Sequence, residues 1–67
     1  MTLLDVMIVV GGLSEFADGN DAHVERNIDG KQVEIPVRLS DLIQNGDIKA
    51  NMDMFPGDIL FIPESWF

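Results

Sequence analysis

The sequence predicts a small α+β domain, with one helix packed across a small mixed sheet. Three observations carry that expectation. An apolar stretch at residues 3–10 has a helix-start signal before it and paired glycines after it. An Asp29-Gly30 pair sits between two runs that alternate apolar and polar residues. A run at residues 59–62 is apolar at every position. With 67 residues, 46% of them hydrophobic, the chain has enough apolar material for one small domain spanning 1–67, and too little for two.

The first element is read from its ends. Thr2 and Asp5 have the spacing of a capping box, with Asp in place of the commoner Glu. Asp5 also lies near the positive end of a helix dipole. Leu3, Leu4, Met7 and Ile8 share one helical face. Gly12 suits the left-handed position after a helix, and Leu13 can fold back onto the last turn. Val6, Ile8, Val9 and Val10 are β-branched and fit a buried strand as well; the stop signals at both ends favour the helix. Residues 14–17 then make one further helical turn with Phe16 inward, and residues 18–21 a loop.

The next element is a hairpin. Asp29-Gly30 is a two-residue type I′ turn. Pairing outward from it sets Ile28 against Lys31, Arg26 against Val33, Val24 against Ile35 and Ala22 against Val37, on a mostly apolar face. Asn27, Glu25 and His23 then oppose Gln32, Glu34 and Pro36 on a polar one. A slip of one residue would invert both faces, so this register is strongly specified. Pro36 has no amide proton for a ladder, so its strand is expected to be exposed there or to end nearby.

Residues 40–46 read as one capped helical turn, with Ser40 as N-cap and Gly46 as terminator. Residues 48–54 are irregular or weakly extended. Phe55-Pro56-Gly57-Asp58 is a type II turn. Residues 59–62, apolar on both faces, are expected to form a central strand covered on each side, ended by Pro63. The hairpin supplies one neighbour for it, so a second is expected from a longer chain or from a partner.

Charge and composition remove several functional classes. A net charge of -8, with Lys+Arg 4 against Asp+Glu 12, opposes nucleic-acid or anionic-membrane binding. Without cysteine there is no disulfide framework, Cys-ligated zinc or thiol nucleophile. The apolar run at 6–10 is too short to span a membrane, and no basic stretch marks a secretory signal. This leaves a cytosolic protein or an excised piece of a longer one.

Candidate chemistry is sparse. His23 is the single histidine, which excludes a multi-histidine metal site; beside Glu25 and Glu34 on the polar face it reads as a solvated side chain. No Ser or Cys is placed to use it as a general base. The stretch from Asp18 to His23 fails as a calcium loop, since Ala22 takes a ligand position and His23 replaces the turn glycine. Gly11-Gly12 follows its helix and so is no phosphate cradle. Asp53 and Asp58 flank a turn, where Asp58 is expected to accept local backbone amides. No catalytic residue, cofactor or metal site is therefore expected. Trp66 and Phe67 either cover the edge of the core or form a contact surface. With Phe16 and the Pro36 edge they make the candidate interaction surface.

Leu3-Leu4-Asp5-Val6-Met7 running into Gly11-Gly12-Leu13, then a hairpin, then Phe55-Pro56-Gly57-Asp58-Ile59-Leu60-Phe61-Ile62-Pro63, resembles the SLBB (soluble-ligand-binding β-grasp) domain of outer-membrane polysaccharide export proteins. The ending Ile62-Pro63-Glu64-Ser65-Trp66-Phe67 resembles the exosortase-associated exopolysaccharide export type, although Val10 stands where that family commonly has Ala. The resemblance implies a β-grasp-like sheet lacking the family's usual strand-turn-strand before the helix, and so a C-terminal fragment of a longer exported protein. It further implies a non-catalytic wall module of an exopolysaccharide or capsule export channel in the periplasm and outer membrane. Its partners would be neighbouring protomers of a homo-oligomeric ring and the exopolysaccharide in transit, with membrane contact only through the parent protein. No matched residue is a ligand contact. The alternatives are a soluble-ligand module that binds glycans and a subunit of an electron-transfer complex; the chain has no cofactor motif for the latter. A charge of -8 suits a wall that repels an anionic polymer.

Overall fold

The capping signal at Thr2 works as its spacing requires. In the computed structural model, which describes residues 1–13 and 17–64, Thr2 Oγ1 accepts the Asp5 amide at 3.3 Å and Asp5 Oδ2 accepts the Thr2 amide at 2.8 Å. Helix α1, Leu3–Val10, follows. A helix start leaves four amides without partners inside the helix. Here Leu3 donates to the Met52 carbonyl at 2.7 Å and Leu4 to Asn51 Oδ1 at 3.0 Å, so residues far along the chain complete the cap. The helix exits through Gly11 at φ 86, with the Gly12 amide on the Met7 carbonyl at 2.9 Å. Gly11 takes the C-cap position, and Gly12, the glycine the spacing points to, follows it in the same left-handed region at φ 91.

The hairpin has the register its sequence requires. Strands β1 (Ala22–Ile28) and β2 (Lys31–Val37) pair antiparallel from Ile28↔Lys31 to Ala22↔Val37. Asp29 and Gly30 have φ of 52 and 81, both positive as a type I′ turn demands. Helix α2 is Leu39–Gln44, and β3 is Ile59–Phe61. Short 3₁₀ turns at Gly19–Asp21 and Ile48–Ala50 fill the connections. The turn before β3 closes through the Asp58 amide on the Phe55 carbonyl at 3.0 Å, with Gly57 at φ 90, as a type II turn requires.

The α+β class is as expected. Both strand pairings are antiparallel, in the order β2-β1-β3. One core joins Leu3 and Met7 of α1, Ala22 and Val24 of β1, Val37 of β2, and Leu39 and Leu42 around α2. Among the described residues, the helices therefore cover one face of the sheet and leave the other outside.

Two local expectations change, and a third falls largely outside the described residues. The run at 59–62 is not a central strand: β3 lies at the sheet edge and, among the described residues, pairs with β1 alone. The hairpin places β1 in the middle, and a period of two lets only Leu60, opposite Val24, look toward the core. Ile59 and Phe61 point the other way and remain 56% and 52% exposed. The helix expected at 40–46 begins earlier, at Leu39, which is fully buried. Ser40 thus lies inside it, and Asn20 Oδ1 from the neighbouring 3₁₀ turn accepts the Asp41 amide at 3.2 Å. The turn expected at 14–17 falls largely on residues 14–16, outside the described set; Ala17 itself is bridged to Glu64.

Candidate interaction face

Strand alternation builds the outer face of the sheet from residues 36, 23 and 61 in one row and 34, 25 and 59 in the next. Pro36 lies on the edge strand β2 and is exposed, where its missing amide proton costs no ladder bond. Phe61 flanks His23 on the opposite side, its ring stacked at 5.1 Å and 27°. The His23 side chain is consequently only 21% exposed, more sheltered than a solvated strand residue. Its Nε2 lies 3.3 Å from Glu25 Oε1 and 3.9 Å from Glu34 Oε1. The other Glu25 oxygen accepts Gln32 Nε2 at 2.9 Å.

Of the residues singled out in the sequence, Pro36 belongs to this face. Phe16, Trp66 and Phe67 lie outside the described residues. Sequence reasoning missed Ile59 and Phe61 as surface residues because it assigned both faces of their strand to the interior. The signal was present: apolar residues on both faces of a strand mean either two covers or one cover and an exposed patch.

A second apolar patch lies on α1. Leu3 and Met7 face the core, whereas Ile8, Val9 and Val10 are 69%, 76% and 61% exposed. Among the described residues nothing covers these three side chains, and this apolar shoulder lies on the layer opposite the outer sheet face. Leu4, Ile8, Gly11, Gly12 and Ile43 line an open apolar depression beside it.

Asp58 has a structural task. Arg26 Nε donates to its Oδ1 at 3.0 Å and Nη2 to its Oδ2 at 2.7 Å, a two-pronged ion pair. The Phe55 amide adds a third donor at 3.0 Å, the local backbone bond expected of this turn. Arg26 also donates to the Asp53 carbonyl at 3.2 Å and lies 4.7 Å over the Phe55 ring. Arg26, and after it the Phe55 amide, hold the Asp58 carboxyl below its ordinary pKa, while Asp58 raises that of Arg26. A carboxylate held in this way favours its charged form and ties the 55–58 turn to β1.

No helix among the described residues is long and apolar enough to cross a membrane. No protein-family model matches the chain.

Proposed function

We propose that this chain is a non-catalytic interaction module that packs between neighbouring copies, as a wall segment of an exopolysaccharide or capsule export assembly. One observation carries the packing part: a small acidic domain exposes two separate apolar patches on opposite layers, Ile8 to Val10 on the helix and Ile59 with Phe61 on the sheet. Contiguous exposed apolar surface marks contact sites. Two different patches on opposite sides suit head-to-tail contacts, which close into rings when the rotation allows. The export setting rests on the sequence resemblance, and the charge of -8 agrees with a surface that does not retain an anionic polymer.

Sedimentation of the chain with Val9→Ser or Phe61→Ser tests the packing. If the helix patch of one copy meets the sheet patch of the next, each variant alone is monomeric and an equal mixture forms a dimer through the one intact pair. Association of both variants as strong as that of the unmodified chain, or a purely monomeric unmodified chain at millimolar concentration, would refute it. Adding an acidic oligosaccharide at low salt separates the glycan-binding alternative: NMR shifts clustered in one patch at sub-millimolar ligand would support that module instead.

A further inference from the structure

Glu25 and Glu34 stand directly opposite each other on paired strands. Like charges in that position repel unless a cation lies between them. Among the described residues, the ion pairs of Arg26 are with Asp58 and those of Arg38 with Asp41 and Asp47, so neither arginine answers this pair. What both carboxylates face is the ring nitrogen of His23.

The geometry points to a divalent metal site: we propose that His23 Nε2 and one oxygen each of Glu25 and Glu34 bind a transition-metal ion of the zinc class. The three donor atoms lie within 4.8 Å of one another. Ligands held at about 2.0–2.2 Å around a tetrahedral ion are roughly 3.3–3.5 Å apart. The His23–Glu25 separation is already 3.3 Å. Glu34 is 3.9 Å from the nitrogen, and its side chain is 70% exposed, so a small swing closes the set.

Two interactions outside the donor set prepare it. Phe61 stacks on the imidazole and limits its rotation. Gln32 holds the Glu25 oxygen that does not face His23, which aims the other at the site. An imidazole donor favours zinc-like ions over magnesium or calcium, which prefer oxygen alone. Two carboxylates neutralise the ion's charge, and the overall charge of -8 draws cations toward the surface. A single histidine excludes a multi-histidine centre but not this mixed one. Three protein ligands leave the fourth position open to water or to a donor from a docked partner. The site requires no export role and no assembly.

Calorimetric titration of the full chain with zinc chloride, read together with the NMR signals of the His23 ring, tests this. One ion per chain is expected, with the ring resonances moving. Glu34→Gln, at a side chain 70% exposed and outside the core, should weaken binding at least ~10-fold. His23→Ala should abolish it while circular dichroism stays unchanged. Glu64→Gln, an exposed acid elsewhere, should leave it intact. Equal zinc affinity in Glu34→Gln and the unmodified chain, or magnesium moving the same resonances at the same concentration, would reduce the cluster to general acidic attraction and overturn the proposal.

Discussion

Replacing Gly19 by alanine sets two opposed effects against each other. Gly19 is buried in the 3₁₀ turn that leads into β1. Its φ is not in the left-handed region, so the backbone accepts an L side chain. With a compatible backbone, Gly→Ala stabilises by about 0.4–1 kcal/mol, because it restricts the unfolded chain. The folded state argues the other way. A Cβ built on Gly19 lies 2.6 Å from Ser40 Oγ, 2.7 Å from Leu13 Cδ1 and 2.8 Å from the Ser40 amide nitrogen. The hydroxyl and the methyl can rotate aside. The amide nitrogen can retreat only if the first turn of α2 moves with it, and that turn carries the fully buried Leu39 and the Asn20–Asp41 bonds. Overpacking of this kind costs about 1–3 kcal/mol. The clash therefore wins, with a net loss of about 1–2 kcal/mol. A domain of 67 residues has on the order of 3–10 kcal/mol in total, so the loss is readily measured. Urea unfolding should show a lower midpoint at unchanged slope, a drop of about 1–2 M for a slope near 1 kcal/mol/M. NMR shifts should centre on residues 39–41. A Gly19→Ala domain as stable as the parent, or more so, would show that α2 gives way freely and that the packing argument is wrong.

Two further outcomes are expected. Leu3→Ala removes a side chain with no exposure from the centre of the core and should cost about 2–5 kcal/mol in the same unfolding assay. For Asp58, the depressed folded-state pKa fixes the sign of the pH effect: its stabilising contribution is complete above the ordinary carboxylate value, about 3.9, and is lost as the pH falls through the lower folded value. The hydrogen bonds from Thr2 give Asp5 the same sign. Urea midpoints followed from pH 6 to pH 2 should therefore fall less steeply for Asp58→Asn than for the unmodified chain, and parallel profiles would contradict the assignment.

Local chemistry was legible wherever short-range geometry decides the outcome. The capping box at Thr2, the type I′ turn at Asp29-Gly30 with its entire register, and the type II turn at Pro56-Gly57 all depend on residues within a few positions of each other. The polar face of the hairpin, and with it His23, Glu25 and Glu34 side by side, follows from that register alone. What lies on the third strand does not. Phe61 reaches His23 only because β3 docks on the free edge of β1, a contact between positions 38 residues apart that no turn dictates.

The sequence by itself determined which residues pair within the hairpin and which faces are apolar, because side-chain periodicity and turn stereochemistry are properties of neighbouring residues. The tertiary structure decided which apolar faces are covered. It put β1 at the centre and β3 at the edge, left Ile59, Phe61 and the shoulder of α1 in solvent, and turned Arg26 onto Asp58. Burial depends on what else the chain brings to a face, and among the described residues both helices pack on the same side of the three-stranded sheet.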